Sequence, residues 1–231
     1  MTTMTKDWDR HVTDAEQIAR GPGFLNLRDR ILALAAPQVA DVVVDVGCGT
    51  GLLALEFAGR VERVWAIDIS ASMVDYLRTK AASAEIGNID AAVASAVSLP
   101  LIDACADIVV SNYCLHHLDD TGKRRALQEA MRVLRPGGRL VFGDMMFDLD
   151  PGNPRNRAVI ADKVRAMLAK GPAGVLRLAK NALRLASGRW ESPARADWWR
   201  RALSETGFVD VHVTVLEHEG GIAQARRPSS I

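Results

Sequence analysis

Seven residues, Asp45-Val46-Gly47-Cys48-Gly49-Thr50-Gly51, constrain this chain more than any other stretch because of what flanks them. Residues 41–46 are a run of valines interrupted by Asp45 and opened by Asp41, and residues 52–59 read as a helix. A run dominated by β-branched valines fits the centre of a parallel sheet, where both strand faces are buried. Glycines at alternate positions let the backbone enter dihedrals closed to other residues, and they let a ligand approach without meeting a Cβ. A tight strand-to-helix turn with no ligand is the plain alternative, and a lone glycine trio would leave it standing. Here a second strand, residues 64–69, ends at Asp68. A carboxylate at that place can accept from both hydroxyls of an adenosine ribose. A helix N-cap or a solvated strand end is the alternative for Asp68 alone, and the pairing with the glycine loop favours the ribose.

Glycine spacing separates the possible ligands. Dinucleotide sites use G-x-G-x-x-G, whose third glycine admits the pyrophosphate-binding helix. This chain has G-x-G-x-G, and Leu52 stands where that third glycine would fall. The spacing disfavours a pyrophosphate and is compatible with a neutral-plus-cationic ligand such as S-adenosylmethionine (SAM).

Beyond the loop, apolar runs of strand length alternate with runs of helical period, the pattern of a parallel sheet covered on both faces. A helix carrying Phe24, Leu27, Ile31, Leu34 and Ala35 comes first, closed by Pro37. Helix 71–84, strands 89–94 and 106–111, helix 120–134 and strand 139–145 follow, with Pro136-Gly137-Gly138 as the turn into the last. From 151 to about 192 the alternation stops, and two helices split by Gly171-Pro172 are expected. Helix 195–205, strand 208–216, a turn at Gly220-Gly221 and strand 222–225 complete the order, the final pair forming an antiparallel hairpin.

Taken in order, these segments resemble the class I SAM-dependent methyltransferases, in particular the small-molecule group that includes ubiquinone and menaquinone biosynthetic enzymes. The resemblance covers residues 24–226 and rests on the 45–51 loop, Ile67-Asp68-Ile69, Ser98-Leu99-Pro100, residues 106–111, residues 112–118 with their His116-His117 pair, and Leu134-Arg135-Pro136-Gly137-Gly138. It implies an α/β, Rossmann-like, doubly wound sheet of seven mostly parallel strands with an antiparallel last strand and a helical insertion after strand five. One domain over residues 1–231 is expected, with an N-terminal cap segment at 1–36 and an acceptor-side insertion at 151–201.

The resemblance also implies roles. Asp45 and the amides of Gly47 and Gly49, within a loop that includes Cys48 and Gly51, would hold the methionine end. Asp68 would hold the ribose, Ile69 and Met73 would flank the adenine, and Asn112, with Tyr113 beside it, would face the main-chain side of the methionine moiety. Relatives often carry an acid after strand three for the adenine amino group. Ser95 stands there in this chain, within Ala94-Ser95-Ala96, so that contact is uncharged and weaker, while the amide of Ala96 is unchanged.

A sulfonium is already an activated methyl donor, so positioning in a dry site supplies much of the rate and a base is optional. For a hydroxyl or acidic-carbon acceptor, His117 is the first candidate base, with His116 and Asp144 behind it. Packing is the stronger alternative for one of two adjacent histidines. Trp8 and His11 mark an N-terminal segment of the kind that relatives fold over the pocket. Trp190 and Trp198 are open between an acceptor pocket and packing, whereas packing is expected for Trp199.

Composition narrows the partners. A formal charge of +1 implies no global pull toward nucleic acid, and Asn112-Tyr113-Cys114-Leu115 lacks the Asn-Pro-Pro-aromatic run used on flipped bases. Cys48, Cys105 and Cys114 have no paired spacing, so no zinc site, disulfide framework or arsenite-binding thiol cluster is expected, and a cytoplasmic setting follows. No transmembrane segment is expected either. SAM is the expected cofactor and a small molecule, anionic or lipophilic, the expected acceptor. One charge asymmetry stands out: residues 151–201 hold twelve bases against three acids, a net of +9, which leaves −8 on the rest. Lys163, Lys170, Arg177, Lys180 and Arg184 are its candidate anion-facing residues, against the alternative of a solvated face. A rival use of the same fold, with SAM serving structurally or in another reaction, stays open.

Overall fold

The computed structural model describes residues 8–147, 152, 154–169, 171–186, 192–217 and 219–229. Seven strands lie in the order β3-β2-β1-β4-β5-β7-β6. Strands β1 (Val42–Val46), β2 (Arg63–Asp68), β3 (Ile89–Val93), β4 (Ala106–Asn112) and β5 (Leu134–Met145) are mutually parallel. Strand β7 (Gly220–Arg226) inserts antiparallel between β5 and β6 (Val209–Val215). The valine run is therefore central, with β2 on one side and β4 on the other.

Two apolar layers sandwich the sheet, and strand alternation assigns residues to them. Val43, Ile108, Val110 and Val141 pack with Leu27 and Ile31 of α2 (Pro22–Ala35), Phe57 of α3 (Ala54–Ala58) and Leu77 of α4 (Ala71–Ser83). Their neighbours Val44, Val109 and Phe142 point the other way, onto Leu127 of α5 (Asp120–Val133) and Trp199 and Leu203 of α8 (Ala196–Thr206). Trp199 is fully buried and meets Phe142 edge-on at 4.8 Å, the packing role expected of it. Trp198 is partly buried under the cations of Lys123 and Arg124, and Trp190 lies outside the described residues.

Three local readings change. Helix α5 stops at Val133 and β5 begins at Leu134, so the Pro-Gly-Gly run lies inside the strand as an irregular entry. Leu134 pairs with Ala106 and Arg139 with Ile108, while Gly137 and Gly138 exchange backbone bonds with Arg227. Gly220 and Gly221 are not the hairpin turn but ladder residues of β7. A Cβ at Gly221 would stand 2.5 Å from the Met146 sulfur, so close approach rather than turning fixes that glycine. Finally, the N-terminal segment holds a 3-10 turn at Trp8–His11 and a helix α1 at Val12–Ala19 that hydrophobic period did not reveal. The insertion forms the two expected helices, α6 (Pro154–Leu168) and α7 (Pro172–Ala186).

Candidate functional site

The carboxyl ends of β1, β2 and β4 converge where an open α/β sheet places ligands. The loop after β1 carries Gly47, Gly49 and Gly51 at φ +72°, +51° and +94°, the left-handed region that side chains disfavour. The loop glycines differ in what surrounds them. A Cβ on Gly47 would lie 2.2 Å from the Cys114 sulfur, whereas a Cβ on Gly49 would meet nothing within 4 Å. Gly47 is thus a packing glycine and Gly49 borders open space. The N–H of Gly47 donates to Ile67 O at 2.7 Å, and that of Gly49 to Asp68 Oδ2 at 2.8 Å. Both amides expected to hold the methionine end are therefore engaged within the protein. Cys48 is buried, its N–H donating to Ile67 O, and burial pushes its thiol up.

Two acids and an amide face this loop. Asp45 is buried and accepts the Ala54 N–H at 3.0 Å, which ties the strand to the start of α3. Burial pushes its carboxyl up to about 7; the Ala54 amide opposes that push and the neighbouring Asp68 charge adds to it. Asp68 is also raised, chiefly by burial, against the amides of Ser70 and Gly49. Its Oδ1 accepts from Ser70 N at 2.9 Å, so each carboxylate oxygen has one internal donor and keeps a lone pair. Ser70 caps α4 by accepting from Met73 N, a role weighed for Asp68 itself.

Asn112 ends β4 with its side-chain Nδ2 and Oδ1 both buried and without a hydrogen-bond partner. A donor and an acceptor left together in a dry place are costly, about 1–3 kcal/mol for each group, unless a ligand meets them. An amino acid zwitterion presents the matching acceptor and donor. Asn112, the open side of Gly49 and the Asp68 carboxylate together fit SAM: a polar methionine end, a ribose and space between. Of the adenine-side residues, Ile69 is 52% exposed, while Met73 is buried. Ser95 Oγ accepts from Val97 N at 3.4 Å, a local turn that includes Ala96 and returns to Ser98. Tyr113 holds φ +53° and stacks on Phe24 of α2 at 4.3 Å; burial raises its phenol.

Beside this pocket the turn Leu115–His117 and the end of β5 build a second group. His116 is buried, with Nδ1 2.5 Å from Asp144 Oδ1, and its N–H donates to Asp144 Oδ2 at 2.9 Å. Asp144 is itself buried and its Oδ1 also accepts from Met145 N. His117 stands differently: its ring lies 3.9 Å from His116 and 4.5 Å from Trp8. The histidine pair is therefore split between a carboxylate-anchored ring and a ring tilted against its aromatic neighbours.

Several residues here carried no sequence signal. Asp9 accepts from Ser70 Oγ at 2.5 Å and Ser72 N at 3.0 Å, docking the N-terminal turn on the start of α4, where a helix favours an acid. Glu16 pairs with Lys80, which also donates to Thr50 O in the glycine loop. His11, singled out with Trp8 in the sequence, meets Trp8 edge-on at 6.3 Å and lies 3.5 Å from exposed Asp14. Ser192 N donates to His116 O at 2.8 Å, and its Oγ accepts from the fully buried Lys123. These links join distant segments, so no local period announces them. Of the basic insertion residues, Arg177 and Lys180 are exposed; Lys170 and the side chains of Lys163 and Arg184 lie outside the described residues.

Comparison with known proteins agrees with this geometry. Residues 43–138 match the model of a family described as a methyltransferase domain. The chain is 32% identical over 167 residues to 27-O-demethylrifamycin SV methyltransferase of Amycolatopsis mediterranei, covering 71% of this chain and 59% of that one. It spans about half the length of the curated relatives it matches, 44% and 59% for two of them and 42% for a third. Among solved structures, a SAM-dependent methyltransferase from Aquifex aeolicus superposes with a TM-score of 0.65 at 18% identity, covering 94% of this chain and 98% of that one. The [4+2]-cyclase SpnF superposes at 0.70 with 18% identity, covering 96% and 94%. Residues 43–138, from the valine strand to the Pro-Gly-Gly run, are thus similar to a methyltransferase domain, and the strand order around them is the Rossmann-like fold of the SAM-dependent methyltransferase structures.

Proposed function

We propose that this chain transfers the methyl group of SAM to a hydroxyl of a small molecule, with His116 as the base and Asp144 as its positioning residue. The observation that carries the reading is the buried His116–Asp144 pair at the rim of a pocket whose Asn112 amide has no protein partner. The rifamycin relative's printed activity, an O-methylation, supports a hydroxyl acceptor.

Asn112 and Asp68 would hold the two ends of SAM, and Asp45 would keep the glycine loop in register through the Ala54 amide. When bound, SAM supplies an activated methyl on a sulfonium. His116 would then take the acceptor's hydroxyl proton at Nε2, because Asp144 holds the ring through Nδ1 and stabilises the imidazolium that forms. Asp144 also fixes the tautomer, since its oxygen accepts the Nδ1 proton. His117, tilted against Trp8, would line the acceptor side. The segment 1–36 would serve as the cap, held by Asp9, Glu16 and Phe24, and residues 151–201 would form the acceptor wall.

The test uses methyl-labelled SAM with a panel of phenols and alcohols. His116→Gln and Asp144→Asn should each lower kcat by about 10²-fold or more, while SAM affinity by calorimetry stays within about twofold of the parent. His117→Gln should cost far less. A His116→Gln variant turning over at the parental rate would remove the base assignment. A second reading is favoured by one observation, the likeness to a [4+2]-cyclase: the fold does not by itself choose methyl transfer. If SAM binds but no label reaches any acceptor, that reading gains.

A further inference from the structure

We propose that the α6–α7 hairpin is a docking surface for an anionic lipid bilayer. The two helices pack chiefly on each other rather than on the sheet. Their exposed apolar residues are large: Leu168 is 52% exposed, Val175 53%, Leu176 57% and Leu183 70%. At about 100° per residue, Val175, Leu176, Leu178 and Leu183 fall within an arc of roughly 160° on α7. Arg177 and Lys180 border that arc on one side. Among the described residues, α7 carries no acid.

An apolar stripe with bases along one border and no acid beside it is the pattern of a helix lying in the headgroup layer, with leucines toward the acyl chains and cations at the phosphates. No helix of the described residues is long and apolar enough to cross a membrane, so the hairpin would lie on the surface. The charge distribution fixes the orientation. Residues 151–201 carry +9 and the rest of the chain −8, so an anionic surface attracts this face and repels the others. A second copy is a poorer occupant, because a two-fold contact through these faces would bring the two basic borders together.

The base of the hairpin is fixed to the body. The Arg155 guanidinium donates to Leu216 O at 2.8 Å and to Met146 O and Gly220 O at 3.1 Å. Strand β5 ends at Met145, one residue beyond the Asp144 that anchors His116, and Arg155 in the first turn of α6 reaches back to Met146 O. A bilayer docked on the hairpin would lie near the mouth of the site. If the methyl-transfer reading holds, a lipophilic acceptor would reach the site from that surface; the docking itself does not depend on it.

The experiment is vesicle co-sedimentation of the full chain, with SAM affinity and melting temperature measured on the same preparations. Vesicles of phosphatidylcholine with phosphatidylglycerol should bind the chain at low salt and release it at high salt, and phosphatidylcholine alone should bind far less. Arg177→Gln with Lys180→Gln should weaken partition about 30-fold, at roughly a tenfold or less loss per charge. Leu176→Asp with Leu183→Asp should abolish it while SAM affinity stays parental. Should the leucine variant fail to fold, the arginine–lysine variant decides alone. Equal binding to both kinds of vesicle, no binding at low salt, or parental binding by the charge variant would overturn the proposal. So would a concentration-dependent dimer in sedimentation velocity that the leucine variant loses, which would assign the face to a second copy. Loss of SAM binding in the parent chain would instead count against the cofactor site.

Discussion

The glycine loop and the α6–α7 hairpin lie at opposite limits of how tightly this chain is determined. Around the loop almost every atom has a neighbour: Gly47 is closed by Cys114, Gly51 by Leu77, and Asp45 and Asp68 by backbone amides. On the hairpin, leucines and valines face solvent, and packing on the body is confined largely to its base at Arg155. Changes in the first region should register in stability and cofactor affinity together. Changes in the second should register in association and leave the fold alone.

The largest effect expected from this contrast is at Gly47. Alanine there adds a Cβ 2.2 Å from the Cys114 sulfur at φ +72°, which combines overpacking with left-handed strain at a cost of about 2–5 kcal/mol. Gly49→Ala carries the strain alone, about 1–2 kcal/mol, because its Cβ meets open space. Thermal melts of the two should therefore separate, while calorimetry should show Gly49→Ala losing SAM affinity despite the smaller loss of stability. Equal melting points would mean that the Cys114 side chain yields and Gly47 is not the packing residue described here.

Next in size is a pH effect at Asp45. Burial raises its folded-state pKa to about 7 from an unfolded value near 3.8, so the folded chain binds the extra proton between those limits. The unfolding free energy then falls as pH rises from about 4 to about 7, by up to about 4 kcal/mol, since the charged form is the one disfavoured by folding. Acids whose pKa is lowered, such as Glu129 beside Arg132, act in the opposite direction at lower pH. Denaturant titrations of Asp45→Asn should be flatter than the parent across this window. An unchanged slope in the variant would mean that Asp45 is already ionised in the folded chain.

The two regions also differ in how far the sequence discloses them. The valine strand, the glycine spacing and Asp68 at the end of the next strand are local patterns with a physical reason each, and the sheet assembles around them as expected. Helix α5 carries an acidic N-cap, Asp119, and a clear apolar face, and its reading differs from the structure by one residue. Readings that depended on what approaches from elsewhere changed. Gly220 and Gly221 look like a turn until Met146 is seen against the second, and the base proposed here is His116 rather than His117 because Asp144, 28 residues along the chain, lies against its ring. Asp9, Lys123 and Ser192 act through partners 61 to 76 positions away. Charge counting isolates the insertion, but periodicity alone does not say what its apolar residues pack against. Their exposure is a tertiary fact: a helical period reports that a face is apolar, not what covers it.

The smallest expected effect tests that last distinction directly. Leu77 of α4 is fully buried against Val43-side residues of the sheet, whereas Leu183 of α7 is 70% exposed. Leu77→Ala should cost about 2–5 kcal/mol through lost burial and the cavity it leaves. Leu183→Ala removes a side chain that already faces water, and alanine is at least as good a helix former as leucine, so the change should stay within about 0.5 kcal/mol. The two substitutions delete the same atoms from the same kind of helix and differ only in what surrounds them. Denaturation curves should therefore overlay for Leu183→Ala and shift strongly for Leu77→Ala. If Leu183→Ala instead lowers stability by more than about 1 kcal/mol, the hairpin packs on something in solution, and its apolar face belongs to the folded core rather than to a docking surface.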